Sequence, residues 1–262
     1  MLDNSSASCG RGKPGPHFQF TIGGKTVLYC YIRKNACSAF KRLIVNTSPH
    51  RDQLDQFPSR LKFMIKTHGV NKPHIAPVDH SIVVLRDPLD RLVSTFRNKF
   101  VQMTNNVGIF ENYRAITDAS PEAASFERFV SEYVTAPADR LDGHVRPQCD
   151  DLAAMVYTDA IELPRLHDHM TQLFGKKLGN RYFAQKRNAS SHALPIEIDA
   201  AWRLPASELN RLYSDTGTMP PSAAFWTPDL RRIAEQVYAG DSVLLQRLRE
   251  QTEGASVDAV GG

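Results

Sequence analysis

The pattern of apolar and polar residues divides the first part of the chain into short strands and one helix. Two apolar runs flank Gly23-Gly24, which predicts a β-hairpin, and the second run, Val27–Ile32, is typical of a strand buried on both faces. Residues 38–46 carry apolar side chains at helical spacing. Two further apolar runs, at 61–67 and 81–85, predict a second and a third strand.

A strong helix start follows the third strand. Asp87 is suited to cap a helix, Pro88 to occupy its first position, and Asp90 lies three residues after the cap. The remaining pattern predicts helices over 126–134, 163–174 and 228–248, the last broken near Gly240-Asp241, and a short strand over 153–157. This alternation predicts an α/β fold with a central, mostly parallel sheet that is flanked by helices on both faces.

Length and composition favour one globular domain. The chain has 262 residues, of which 42% are hydrophobic and 23% are charged. We expect a single domain over 17–252. Residues 1–16 are polar and rich in Gly, Pro and Ser, so they are predicted to be disordered, as is the tail over 253–262.

Charge and cysteine content narrow the possible partners. The net charge of +4 suits an anionic ligand, and the absence of a basic stripe argues against nucleic acid. The four cysteines form no C-x-x-C pair, which favours a reducing compartment. No stretch of the sequence approaches the roughly 18 apolar residues of a membrane span, and residues 1–16 lack the apolar core of a signal peptide. We therefore expect a soluble, cytoplasmic protein.

The first strand end carries groups suited to phosphate binding. Ligands of α/β sheets bind at the carboxyl ends of the strands. After Ile32 the loop Arg33–Ala39 opens a helix, and backbone N–H groups and the helix dipole favour an anion there. Lys34 adds a mobile positive charge, and Ser38 adds a hydroxyl donor. Taken alone, this pattern is also typical of a solvated strand–helix connection.

Two more strand ends carry candidate chemistry. His68 follows the second predicted strand beside a glycine, which suits a general base, although a surface histidine fits the same pattern. Arg86 ends the third strand, and Ser94 lies eight residues later on the following helix. Both can donate to a phosphate, although a surface pair of Arg86 with Asp87 is equally typical. The order of the three strand ends is more specific than any one of them.

That order resembles the sulfotransferases that use 3′-phosphoadenosine-5′-phosphosulfate (PAPS), in particular the carbohydrate (HNK-1/chondroitin-type) branch. "IRKNACSAFKRLI" is similar to the 5′-phosphosulfate loop of that branch, and "VVLRDPLDRLVSTFRNKF" is similar to its 3′-phosphate segment. "KTH" resembles the catalytic histidine segment of the cytosolic branch, and "HVRPQ" (144–148) resembles a further stretch of the carbohydrate branch. Arg33 stands where the family has proline, and Ser38 stands where it has threonine. The resemblance implies a three-layer, P-loop-like sulfotransferase fold.

The resemblance also implies an activity. The enzyme would move the sulfuryl group of PAPS to a hydroxyl or amine of an acceptor, with carbohydrate as the favoured class. Lys34 would stabilise the leaving group and His68 would be the base, with His144 as the next candidate. The implied PAPS-binding residues are Arg33, Lys34, Asn35, Ala36, Cys37, Ser38, Ala39, Arg86, Ser94, Arg187 and Asn188. No metal is expected, because Lys and Arg side chains supply the positive charge.

Two other functions remain open from the sequence. A P-loop kinase is the first alternative, but "GGKT" (23–26) lacks the glycine that its motif needs at position 19, which is Gln19. A non-catalytic protein that binds PAPS or another anion is the second alternative. Such a protein would need Arg86 and Ser94 but neither Lys34 nor His68.

Overall fold

The computed structural model describes residues 1–5, 14–184 and 198–258, with 252–258 as backbone only. The strands are β1 (Leu2–Asp3), β2 (His17–Ile22), β3 (Lys25–Cys30), β4 (Gly69–Val70), β5 (His80–Leu85), β6 (Val156–Tyr157) and β7 (Asp159–Glu162). The α-helices are α1 (Cys37–Thr47), α2 (Arg60–His68), α3 (Pro88–Phe96), α4 (Val107–Thr117), α5 (Phe126–Arg128), α6 (Leu166–Phe174), α7 (Lys176–Tyr182), α8 (Ala206–Thr216), α9 (Pro228–Val237) and α10 (Ala239–Asp258).

The chain divides into two compact units, and the single domain over 17–252 stays a prediction. The first unit contains Met1–Arg86, Gln148–Gln185 and Val243–Gly262, and the second contains Asp87–Pro147 and Lys186–Ser242. Each unit is assembled from separate stretches of the chain. A sequence shows domain boundaries through flexible linkers, but at two of the passages between units the chain runs directly from β5 to α3 and through α10, so the sequence does not signal the division there.

The first unit is built on a five-stranded sheet in the order β4-β2-β3-β5-β7. Strands β3, β5 and β7 run parallel, while β2 forms the predicted hairpin with β3. Gly23 and Gly24 both have positive φ, at 57° and 77°, as a two-residue hairpin turn requires. The central sheet of an α/β fold is therefore confirmed, with its parallel part at β3-β5-β7.

Both faces of this sheet are covered, as the nearly continuous apolar strands predict. On β5, Ile82 and Val84 join a core with side chains of α1, α2, α6 and α7. Val83 and Leu85 point to the other face and join a core with α10 and β6. Alternate residues of one strand thus serve two cores. Because β3 and β5 pair in parallel, their carboxyl ends lie side by side at one edge of the sheet.

The predicted strand over 61–67 is wrong, because this segment lies in helix α2. Ser59 caps the helix by accepting a hydrogen bond from the N–H of Lys62 (3.2 Å). The adjacent residues Phe63 and Met64 are both buried in one core, whereas a strand would send them to opposite faces. The serine cap is the sequence signal that distinguishes the helix from a strand.

Both terminal segments contain described secondary structure. Within 1–16, β1 pairs antiparallel with β6, and Leu2 is buried. The tail predicted from 253 continues as helix to Asp258. Part of the predicted strand over 153–157 forms β6, but the strand beside β5 is β7. A two-residue strand is too short to give a periodic signal.

The second unit is helical or irregular throughout its described residues. Its core contains a cluster of aromatic rings in contact, which joins Phe96, Phe100, Tyr113, Phe126, Phe129, Tyr133 and Phe225. The predicted helix over 126–134 is confirmed as α5 with a following π-helical turn. The predicted break in 228–248 lies at Tyr238, between α9 and α10. Among the helices that the structure describes, none is long and apolar enough to cross a membrane.

A buried cluster of hydrogen bonds joins the first residues of β5 and β7. Asp159 accepts hydrogen bonds from His80 Nδ1 (2.9 Å), His169 Nε2 (3.0 Å) and the hydroxyl of Thr158 (2.7 Å). Burial alone would raise the pKa of Asp159, but these three hydrogen bonds lower it to about 2. The ionised carboxylate therefore stabilises the end of the sheet opposite the carboxyl ends of these strands.

We expect Asp159→Asn to lower the free energy of unfolding by about 1–3 kcal/mol at pH 7. The depressed pKa means that the stabilisation is present above pH 4, and that it is lost as the pH falls through about 2. In urea unfolding, the difference in free energy of unfolding between wild type and variant should become smaller from pH 7 to pH 3. Asp168→Asn, at an exposed position, is the matched control. A difference that does not change with pH would contradict the expectation.

Candidate functional site

The loop that follows β3 in the first unit has an unusual backbone. Lys34 and Ala36 have positive φ, at 71° and 56°, while Asn35 between them does not. Residues with a Cβ avoid this region. Each one costs about 1–3 kcal/mol and persists only where the surrounding structure holds it there. Alternation of left-handed and right-handed residues turns successive N–H groups towards one point, forming an anion-binding concavity. The strain is therefore of the kind found at phosphate sites.

Helix α1 begins directly after this loop and adds to the same effect. Ala36 is its N-cap and offers no side-chain acceptor. The N–H groups of Ala39 and Phe40 bind the carbonyl of Ala36, but the described part of the chain offers those of Cys37 and Ser38 no acceptor. Unsatisfied N–H groups and the helix dipole both favour an anion at this position.

The loop side chains divide between the core and the surface. Asn35 is fully buried, whereas Ser38 is exposed and Lys34 is partly buried. The Cys37 thiol contacts the hydroxyl of Tyr31 below the loop, and burial together with this thiol raises the pKa of Tyr31 above its usual value. The phenol therefore stays neutral, and the loop acts on a ligand through its backbone, Ser38 and the cationic side chains.

Arg86, at the end of β5, lies against this loop as the sequence predicts. Arg86 Nη1 is 3.5 Å from the carbonyl oxygen of Lys34. Gln148 joins the two segments: its Oε1 accepts from the N–H of Arg86 (3.0 Å) and from Asn35 Nδ2 (2.5 Å). Its Nε2 donates to the carbonyl of Arg86 (2.8 Å). The sequence analysis assigned no role to Gln148, although it ends the "HVRPQ" stretch.

His68, the predicted base, does not lie at this loop. Its Nδ1 contacts the carbonyl of Gln19 (2.9 Å), and its Nε2 contacts the hydroxyl of Ser48 (2.8 Å). Ser48 follows the last residue of α1, and the loop precedes the first. The eleven residues of α1 span about 16 Å at 1.5 Å each, so His68 lies at the far end of the helix from the loop.

The surroundings of His68 fit a structural histidine. Burial lowers its pKa, the hydrogen bond that the ring makes to the carbonyl of Gln19 opposes this, and His50 lowers it further. Both ring nitrogens have protein partners, and the cavity beside the ring, about 590 Å³, is lined by β2 and by the ends of α1 and α2. The expectation of a base at a strand end fails here because the preceding segment is a helix.

The second unit carries Ser94 on α3, where it is partly buried. The sequence places Arg91 on the same polar stripe, but Arg91 is buried, with 1% of its surface exposed. Its guanidinium donates to the carbonyls of Arg146 (2.7 Å) and Gly143 (3.2 Å). Arg91 therefore fixes the backbone of the turn over 143–146.

Two more side chains bind the same turn. Thr95 Oγ1 donates to the carbonyl of His144 (3.2 Å), and the hydroxyl of Tyr238 donates to the carbonyl of Val145. With the two bonds from Arg91, four consecutive carbonyl groups are held by buried side chains. An irregular turn ordinarily leaves such groups to water, so this one is preorganised.

His144 is the side chain that the turn presents. Its Nδ1 lies 2.5 Å from Asp142 Oδ1, which also accepts the N–H of His144 (2.8 Å). Asn112 Oδ1 accepts the N–H of Asp142 in turn (2.9 Å). A carboxylate on Nδ1 fixes the tautomer in which Nε2 can accept a proton. The pair has the geometry of a general base with an orienting carboxylate.

Three predicted site residues have not yet been placed. Arg187 and Asn188 are outside the described residues, so their placement stays a prediction. Arg33 is partly buried at the start of the loop. In the described ranges, no group of three or more His, Cys, Asp or Glu side chains has an arrangement that could hold a metal ion.

Comparison with known proteins supplies independent information. A family model described as "Sulfotransferase family" matches residues 19–171, more than half of the chain. Carbohydrate sulfotransferase 14 of Homo sapiens is 30% identical over 135 residues, covering 46% of this chain and 35% of that protein. Carbohydrate sulfotransferase 11 of Rattus norvegicus is 30% identical over 88 residues, covering 30% and 25%. The chain thus spans about a third or less of these relatives. No solved structure matches it significantly.

Proposed function

The chain belongs to the sulfotransferase family, as its sequence motifs predict, and we propose that it transfers the sulfuryl group of PAPS to a hydroxyl or amine of a carbohydrate. The loop over 33–39 carries the proposal. It combines two left-handed residues, an uncapped helix N-terminus and a lysine, and each of these favours a phosphate group. The residues present therefore fit the 5′ end of such a donor.

At the 5′ end, the N–H groups of 36–39 and the Ser38 hydroxyl would bind the 5′-phosphate. Lys34 would contact the bridging oxygen between phosphorus and sulfur. Arg33, at the start of the loop, would add positive charge. A mobile ammonium group next to the leaving oxygen stabilises charge that grows as the S–O bond breaks.

At the 3′ end, Arg86 would bind the 3′-phosphate through its planar guanidinium. Its backbone is fixed beside the loop, which supports this role. Ser94, Arg187 and Asn188 are proposed for the same phosphate on their motif positions alone. These contacts would distinguish PAPS from ATP, which has no 3′-phosphate.

His144 is proposed as the base in place of His68. The acceptor oxygen forms a bond to sulfur while the bond from sulfur to the bridging oxygen breaks. The electron pair of that bond leaves with the 5′-phosphate, and the acceptor proton passes to His144 Nε2. Positioning and charge stabilisation supply most of the rate in such in-line transfers.

The alternative kinase function finds little support in the described residues. "GGKT" (23–26) forms the tight turn between β2 and β3 instead of a phosphate loop. Asp87, the carboxylate nearest in sequence to Arg86, accepts the N–H groups of Leu89 (2.9 Å) and Asp90 (3.0 Å) as the cap of α3. It therefore serves the helix and is poorly suited to hold magnesium.

A calorimetric titration tests the donor. We expect micromolar binding of 3′-phosphoadenosine-5′-phosphate and much weaker binding of ADP or of ATP with magnesium. Arg86→Ala should weaken binding by about 1.5–3 kcal/mol, the cost of a charged hydrogen bond. Arg60→Ala, at the exposed start of α2, is the matched control. Tighter binding of ATP with magnesium would overturn the proposal in favour of a kinase.

Turnover separates an enzyme from a protein that only binds PAPS. Release of 3′-phosphoadenosine-5′-phosphate from PAPS should rise with at least one member of a panel of unsulfated polysaccharides and simple glycosides. Incorporation of labelled sulfate identifies the product. Donor binding without stimulated turnover by any acceptor in the panel would favour the non-catalytic alternative.

A further inference from the structure

Gln148 lies at the centre of the hydrogen bonds that join the loop over 33–36 to the end of β5. It belongs to the first unit and directly follows Pro147, the last residue of the 87–147 stretch, and only 1% of its surface is exposed. Its carboxamide makes one bond to Asn35 and two to the main chain of Arg86. One buried side chain thus contacts both segments that are proposed to bind the donor.

The two bonds to Arg86 require an amide. Strand β5 ends at Leu85, and the N–H and carbonyl of Arg86 both meet Gln148, through Oε1 and Nε2. The carboxamide takes the place of a peptide group from a neighbouring strand and extends the pairing by one residue. A glutamate would keep the shape and the acceptor but lose the donor.

The bond to Asn35 acts on the strained part of the loop. Asn35 Nδ2 also donates to the carbonyl of Val84 (2.8 Å), so this side chain is tied both to β5 and to Gln148. Its Oδ1 is buried without a partner in the described protein. A buried polar atom without a hydrogen bond is costly, as are the left-handed residues on either side. Both unfavourable features occur where the loop would contact a phosphate.

We propose that Gln148 is a positioning residue for the donor, which couples the loop that binds the 5′-phosphate to the arginine that binds the 3′-phosphate. The inference rests on the proposed function. Gln148 touches neither phosphate itself; it fixes the peptide of Arg86 and the side chain of Asn35 in one hydrogen-bonded unit. Loss of the carboxamide therefore weakens recognition of the 3′-phosphate more than it weakens binding of the rest of the nucleotide.

The test compares two ligands, 3′-phosphoadenosine-5′-phosphate and 5′-AMP, which lacks the 3′-phosphate. Calorimetry gives the dissociation constant of 5′-AMP divided by that of 3′-phosphoadenosine-5′-phosphate for wild type, Gln148→Glu and Gln148→Met, and a larger ratio means stronger recognition of the 3′-phosphate. We expect both variants to lower this ratio about tenfold, the effect of one lost hydrogen bond to a charged site. Gln148→Met excludes charge repulsion as the cause. Gln172→Glu, exposed on α6, is the control for an added charge and should leave the ratio unchanged.

A double-mutant cycle with Arg86→Ala separates positioning from general damage. If Gln148 acts through Arg86, adding Gln148→Glu to Arg86→Ala should change 3′-phosphate recognition by less than about twofold. Full additivity, or an equal loss of affinity for both ligands, would overturn the proposal, as would an unchanged ratio in Gln148→Glu. Failure of the wild type to bind 3′-phosphoadenosine-5′-phosphate would instead refute the proposed function, and this inference with it.

Discussion

Lys34→Ala is expected to lower kcat by roughly 10²-fold or more while donor affinity changes little, because the charge on the leaving oxygen is largest in the transition state. Alanine is a suitable replacement, because Lys34 has a φ of 71° and glycine would relieve backbone strain as well as remove the ammonium group. The measurement is the rate of PAPS turnover with the best acceptor of the panel, together with calorimetric affinity for 3′-phosphoadenosine-5′-phosphate.

Two further variants make this result specific to Lys34. Lys66→Ala removes an exposed lysine from α2 in the same unit and should leave both quantities unchanged. Lys34→Arg keeps the charge but replaces a compact ammonium group with a broad guanidinium, so we expect partial activity. Undiminished kcat in Lys34→Ala would remove this residue from the chemistry. A matching loss of affinity and rate would show that it only binds the donor.

The loop and Arg86 could be predicted from sequence because both signals are local. A buried strand followed by a helix places its loop at the carboxyl end of the sheet, and two parallel strands place their ends side by side. The structure brings Lys34, Asn35 and Arg86 together in this way. The strain at Lys34 and Ala36 has no such signal, since neither is a residue type that favours positive φ.

His68 shows why the segment before it was wrongly predicted to be a strand. A short apolar run fits a strand or a buried helix segment equally, and here the capping serine before it decides the matter. Once the segment is a helix, its last residue faces Gln19 and Ser48 instead of the edge of the sheet where the loop lies. Because this one element was wrong, the residue predicted as the base lies one length of α1 away from the loop.

Gln148 and Arg91 could not be predicted because their roles depend on contacts distant in sequence. The bond from Gln148 to Asn35 joins residues 113 positions apart, and the bonds from Arg91 reach 52 and 55 positions. Hydrophobic periodicity does not report such pairs. An arginine on a polar helical stripe is ordinarily solvated, and the burial of Arg91 reverses the expectation.

His144→Ala and His68→Ala are expected to have opposite effects, which makes the pair a direct test of which histidine is the base. His144→Ala should lower kcat by about 10²–10⁴-fold without loss of donor affinity, the usual contribution of a general base. Added imidazole should restore part of the rate, because a small base can enter the space that the ring leaves. Asp142→Asn should lower kcat less, since the ring remains but loses its orienting carboxylate.

His68→Ala should keep kcat within about twofold and lower the free energy of unfolding by about 1–3 kcal/mol, because it removes two hydrogen bonds from a buried site. The reverse result, a large loss of kcat in His68→Ala with normal stability, would require a donor site at the other end of α1 and would overturn the assignment of the loop as well. A stable, inactive His144→Ala that imidazole cannot rescue would point to substrate binding as its role. The four hydrogen bonds to carbonyl groups that hold the turn around His144 favour His144 as the base, because a surface histidine needs no such support.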